Sequence, residues 1–155
     1  MIRSILKTNS LFTHFSDAEL TDFLQLCERQ AVSKGGVVFS ENAEDDGAVY
    51  FIEAGIIKII KRAQDQRQVL AMFGLGNVFG EMSFLNPGPR SATATADEDV
   101  IVHKLLPTRL SELEQQSPGT AIKLYKVFIL KLVARLRQTD DALMKKSREV
   151  GIIVT

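Results

Sequence analysis

The stretch Gly76-Asn77-Val78-Phe79-Gly80-Glu81-Met82-Ser83-Phe84-Leu85-Asn86-Pro87-Gly88-Pro89-Arg90-Ser91-Ala92-Thr93 lies between two β-forming runs, where a hairpin would need only a few residues. Its residue types say what the extra length is for. Gly80 lets backbone approach a ligand closely, and Glu81 to Leu85 reads as a single helical turn. The start of such a turn presents N–H groups with no partner inside it, which suits an anion. Arg90 follows a Pro-Gly-Pro turn and is placed to grip a phosphate with two parallel hydrogen bonds. Ser91 adds a hydroxyl and a backbone N–H beside it. Glu81 would repel a phosphate, so its chemistry fits a sugar hydroxyl on the same ligand. Taken singly, Glu81 or Arg90 reads as half of a surface ion pair; with Gly80, Ser91 and the Ala-Thr run that follows, the set describes a nucleotide site.

Outward from this stretch the chain is rich in Val, Ile, Phe and Thr from about Gln30 to Leu106, broken by glycines at 35, 36, 47, 55, 74, 76, 80 and 88. Strand runs fall at Val37–Phe39, Ala48–Ile52, Ile56–Ile60, Val69–Phe73, Ala92–Ala96 and Val100–His103. Many short strands with regular turn signals predict a jelly-roll sandwich or barrel. Glu53-Ala54-Gly55 reads as a tight turn between paired strands, and Ala63-Gln64-Asp65-Gln66 as a polar hairpin tip. Helices flank this section. Ser4 to Glu28 has apolar residues at helical spacing, with Ser16 and Glu19 forming a capping-box signature for a helix from Asp17. Pro107 opens a short helix to about Gln116, and Ser117-Pro118 caps and starts a long one to about Lys146. Gly151 to Thr155 reads as a frayed or packed tail.

With 155 residues and a formal net charge of zero, the chain is expected to be one domain, without a global field toward nucleic acid or anionic membrane. A single cysteine, Cys27, excludes a disulfide framework and reads as a buried small hydrophobe on a helix. His14 and His103 have no ligand spacing around them, so neither a metal nor a haem site is expected. No nucleophile motif surrounds Ser83 or Ser91, so no catalytic residues are expected. There is no signal-peptide core and no run long enough to span a membrane, which predicts a cytoplasmic protein.

The run Phe79, Gly80, Glu81, Met82, Ser83, Phe84, Leu85, then Arg90, Ser91, Ala92 and Thr93 resembles the phosphate-binding cassette of cyclic-nucleotide-binding domains, the fold of the bacterial catabolite activator protein and protein kinase A regulatory subunits. Leu11-Phe12 with Ser16–Leu20, and Gly47–Gly55, are similar to that family's helical lead-in and strand-and-turn. The resemblance implies an α+β fold: a β-roll, or jelly-roll barrel, flanked by N-terminal helices and a long C-terminal helix. The expected layout is one domain over 1–155, with a helical lead-in 1–29, a β-roll 30–106 carrying the cassette 79–93, and C-terminal helices 107–149. It also implies that Glu81 holds the ribose 2′-hydroxyl and that Arg90 pairs with the cyclic phosphate, aided by Ser91 and backbone N–H groups near Gly80, Met82 and Ser83. Ile59, Leu70 and Phe73 would line the base, and Thr139, or Asp140 beside it, would close over the purine from the long helix. Ser91 occurs in bacterial cAMP binders but could also bond a guanine, so the reading leans to cAMP over cGMP, with no other cofactor.

Along the long helix Ile122, Ile129, Leu136 and Leu143 recur every seven residues, with Tyr125, Leu132 and Thr139 between them. Leu124, Phe128 and Val133 form a second apolar face suited to the domain's own core. Two faces imply two partners, and a homodimer through helix 118–146 is expected, as the resemblance also implies. The helix's many Lys and Arg side chains read as a solvated face rather than a nucleic-acid surface. No segment past the long helix is long enough for a helix-turn-helix, so direct DNA binding is not expected and the output would go to an effector protein of unknown identity. The alternatives are a ligand-free dimerisation module of the same fold, or the sensor fragment of a transcription regulator.

Overall fold

The computed structural model describes residues 1–151. The N-terminal section is α1 (Ile2–Leu6), a 3-10 turn at Ser10–Phe12 and α2 (Asp17–Leu24). Helical spacing over Ser4–Glu28 therefore resolves into three pieces. Asn9 Oδ1 accepts the Leu11 N–H at 3.0 Å, and the Thr8 and Thr13 hydroxyls donate to the carbonyls of Ile5 and Ser10, which offers the backbone an alternative to continuous helix. The capping box forms: Ser16 Oγ accepts the Glu19 N–H at 3.1 Å and Glu19 Oε1 accepts the Ser16 N–H at 2.9 Å.

Eight strands follow: β1 (Glu28–Val32), β2 (Val37–Phe39), β3 (Val49–Ala54), β4 (Ile57–Ala63), β5 (Gln66–Phe73), β6 (Val78–Phe79), β7 (Thr93–Ala96) and β8 (Val100–Leu105). They form two antiparallel sheets, ordered β1-β8-β3-β6 and β2-β7-β4-β5, so the chain changes sheet at most connections and builds a jelly-roll β-roll. Glu28 and Arg29, assigned to the helical lead-in, begin β1. That edge strand has no buried face, so its sequence carries no apolar alternation. The turn at Gly55 does not join paired strands. It carries the chain from β3 in one sheet to β4 in the other, and its φ of +86° and a position where a Cβ would lie 2.3 Å from the Asp99 carbonyl oxygen require glycine. The polar tip does close a hairpin, with Ala63 opposite Gln66.

β3 is buried on both faces, which explains its unbroken Val-Tyr-Phe-Ile run. Its odd-numbered side chains, Val49 and Phe51, join Phe12, Phe23, Leu105, Leu124 and Phe128 in a core between sheet and helices. Its even-numbered ones, Tyr50 and Ile52, join Phe39, Ile57, Phe79 and Val102 between the sheets. Between β6 and β7 lies a short helix, α3 (Glu81–Leu85), and after β8 come α4 (Pro107–Gln116) and α5 (Pro118–Glu149). Ser117 occupies the N-cap of α5 but its side chain makes no capping bond. The first half of α5 is docked through Ala121, Leu124, Val127 and Phe128, and by hydrogen bonds from Thr120 to Asp22 and from Lys123 to Glu19. Val133, grouped with the docked face by periodicity, is 39% exposed because α5 has passed the edge of the core by that turn. Gly151 ends α5 in a turn; the rest of the expected tail, 152–155, lies outside the described residues.

Candidate functional site

β6 delivers the chain to Gly80, whose φ of +86° starts α3 in a left-handed step. A Cβ here would sit 2.9 Å from the Ala48 carbonyl oxygen and 3.2 Å from Arg90 Nη1, so only glycine lets the arginine pass. Phe84 anchors α3 against Phe128 of α5, with ring centroids 5.3 Å apart. This leaves Glu81, only 2% exposed, at the first position of the turn.

Arg90 is equally buried and its guanidinium is held from three sides. Nε donates to both carboxylate oxygens of Asp45 at 3.0 Å, Nη1 donates to the Gly80 carbonyl at 3.2 Å and Nη2 to that of Ala48 at 3.0 Å. The group also lies 4.0 Å above the Phe39 ring. Two backbone bonds, Asn42 N–H to Arg90 O and Arg90 N–H to Ala43 O, fasten its main chain to the same loop. Partial burial pushes the Asp45 carboxyl up, but the Arg90 and Gly47 hydrogen bonds outweigh it and hold Asp45 below the ordinary carboxylate range. A guanidinium has five N–H groups, so among the described residues one on each Nη is left for a ligand.

Glu81 and Arg90 open on one cavity of about 380 Å³, a volume suited to a small ligand. Of the residues read from sequence, Gly80, Glu81, Met82, Ser83, Arg90 and Ser91 line one side of it and Ile59, Leu70 and Phe73 another. Thr139 does not line it. Its hydroxyl is turned back to the Arg135 carbonyl at 3.0 Å, and one position along a helix rotates a side chain by about a quarter turn. The α5 wall is instead made by Leu130, Lys131, Ala134, Arg135 and Gln138, a helical face at i, i+1, i+4, i+5 and i+8 next to the heptad seam that periodicity singled out. Lys131 places its ammonium 4.0 Å over the Phe73 ring. Burial pushes it down to about 8, with Glu81 pulling up and Arg135 pushing down. Arg135 Nη1 reaches Met82 Sδ at 3.3 Å, and the Ser91 hydroxyl points to the same sulfur at 3.7 Å. Asp45, Phe39, Lys131, Arg135 and Gln138 escaped the sequence reading. The acidic run Glu44-Asp45-Asp46 was a signal for Asp45, whereas the α5 residues show no pattern until the helix is placed over the roll.

Residues 29–117 match the family model described as "Cyclic nucleotide-binding domain". The chain belongs to this family. The cyclic nucleotide-binding domain is 33% identical over 111 residues to the "CRP-like cAMP-activated global transcriptional regulator" of Mycobacterium tuberculosis, covering 71% of this chain and 47% of that protein, so it spans about half the length of this curated relative. It is 28% identical over 142 residues to the human "cGMP-dependent protein kinase 2", covering 90% of this chain and 18% of the kinase. A crystal structure of a cyclic nucleotide-binding domain from Methylobacillus flagellatus superposes with a TM-score of 0.82 at 26% identity, over 94% of this chain and 82% of that one. Among the described residues of the domain no helix is long and apolar enough to cross a membrane, and no three His, Cys, Asp or Glu side chains converge as for a metal.

Proposed function

We propose that this domain senses a 3′,5′-cyclic purine nucleotide and transmits its occupancy through α5, without catalysis of its own. The observation that carries this reading is the pairing of a buried carboxylate, Glu81, with a buried guanidinium, Arg90, on one wall of the cavity. Phosphate takes the N–H groups left on Arg90, the 2′-hydroxyl donates to Glu81, and the base lies against Ile59, Leu70 and Phe73. The names of the M. tuberculosis and human relatives include one cAMP and one cGMP protein, and both support a cyclic nucleotide. We place the domain in the cytoplasm, as one unit over the whole chain, paired with a second copy through α5 and reporting to an effector protein. Because α5 forms one wall and β4–β5 another, a ligand bridging them favours the arrangement in which α5 closes.

Isothermal titration with cAMP and cGMP tests the reading; no heat with either would leave a dimerisation module as the better description. Glu81→Gln should lower affinity at least about tenfold, since the carboxamide is a weaker acceptor for a sugar hydroxyl. Arg90→Ala should abolish binding and also lower stability by about 2 kcal/mol. It leaves Asp45 and two carbonyls without their donor. Unchanged affinity in either variant would sink the site.

A further inference from the structure

The base end of the cavity is built unevenly. Its β wall is apolar, through Ile59, Leu70 and Phe73, and the rest of the lining includes Asn9, Ser10 and Asn77 as well as α5. Asn9 is spent on the Gly76 carbonyl and the Leu11 N–H, so the charged donors that can meet the polar edge of a bound base stand on α5. The α5 wall is rich in donors. Lys131 and Arg135 are cations, Gln138 supplies one amide, and neither Asp140 nor Asp141 lines the cavity. Arg135 spends one of its five N–H groups on Met82 Sδ, on the cassette side of the cavity. Lys131 has only the Phe73 ring under its ammonium and, among the described residues, makes no ion pair or hydrogen bond. A donor held in that condition is poorly satisfied, so a ligand is favoured in proportion to the acceptor it brings to that spot.

We infer that Lys131 is a specificity residue that reads the 6-position of the base and makes the domain prefer a 6-oxopurine, guanine, over adenine. The inference rests on the cyclic-nucleotide reading above. The physical reason lies in the base edges. Guanine presents two adjacent acceptors, N7 and O6, which a lysine ammonium bonds together, whereas adenine sets an amino donor beside N7 and points it at the cation. A match of this kind discriminates by about tenfold or more. It reverses the lean to cAMP drawn from Ser91 alone, because Ser91 has its hydroxyl directed at Met82 on the cassette side.

The test is calorimetric titration of the full chain with cAMP, cGMP and cyclic IMP, which carries O6 but lacks the 2-amino group. Wild type should bind cGMP and cyclic IMP about tenfold tighter than cAMP. Lys131→Met, neutral and of similar length, should collapse that ratio, and Lys131→Arg, which restores donors, should keep most of it. Binding of cAMP as tight as cGMP, or a ratio that survives in Lys131→Met, would overturn the assignment of Lys131 while leaving the cyclic-nucleotide reading intact. Cyclic IMP grouping with cAMP would assign the preference to the 2-amino group instead and overturn it equally. Failure of all three to bind would remove the cyclic-nucleotide reading itself.

Discussion

Arg90 does two jobs, and they cannot be separated by a single deletion. Its guanidinium closes the Asp45 loop over Gly80 as well as facing the cavity, so loss of binding in Arg90→Ala is read together with stability, and Glu81 is the cleaner probe. Lys131 carries a stability signature of its own. Burial lowers its folded value to about 8 from 10.5, so between those values the unfolded chain holds a proton that the folded chain has released. Stability therefore rises with pH across that window, and below it the penalty of the buried charge is fully present. Lys131→Met should melt higher than wild type at pH 7, with the gap narrowing toward pH 10 in thermal unfolding. A constant gap would show that Lys131 is not desolvated. Cys27 follows α2 rather than lying on it. Its thiol donates to the Phe23 carbonyl, and burial pushes it up to about 12, so it is a packing group.

Among the elements, α5 shows how two apolar faces are assigned. Leu124, Val127 and Phe128 are docked on the roll, while Ile122, Ile129, Leu136 and Leu143 stay 66%, 53%, 61% and 62% exposed. A row of four large apolar side chains at heptad spacing is the feature that supports a paired helix. Ile129→Glu with Leu136→Glu should convert a dimer to a monomer in light scattering at micromolar concentration, without lowering the monomer's helix content. A wild-type monomer would dismiss the pairing. The strands tell a complementary story. β3 and β8 were readable from their β-branched and aromatic runs, whereas β1 was missed because an edge strand can be polar on both faces, and the two-residue β6 is too short to show a period.

Three bodies make most of the cavity wall, β4 and β5 of one sheet, the connection from Gly80 to Ser91 between sheets and the second half of α5, and Asn9, Ser10 and Leu11 near the N-terminal 3-10 turn, Phe39 of β2, Asn77 and Phe79 complete it. A ligand that touches all three stabilises their joint arrangement by mass action, about 2.7 kcal/mol at a hundred times its dissociation constant. Saturating cyclic nucleotide should raise the melting temperature of wild type by several degrees and that of Glu81→Gln far less at the same concentration. An equal rise in both would place the nucleotide elsewhere on the molecule. Under the proposed function the same geometry carries the output, since the turns of α5 that line the cavity adjoin the exposed seam.

Local chemistry determined the cassette at the outset. Gly80, Glu81, Arg90 and Ser91 fall within twelve positions, and a turn, a short helix and an arginine that folds back are short-range events written in neighbouring residues. The alternation of strands and the long helix were equally legible, because burial on one or two faces leaves a period in the chain. Only the folded structure decided which loop would hold Arg90 and which side of α5 would face the cavity. Asp45 meets Arg90 across 45 positions, and Lys131 meets Phe73 across 58, through sheet pairing and helix docking that leave no local trace. The residues proposed to hold a phosphate and a sugar, Gly80, Glu81, Arg90 and Ser91, are thus neighbours in sequence. The proposed reader of the base, Lys131, is brought in from the far end of the chain by tertiary packing alone.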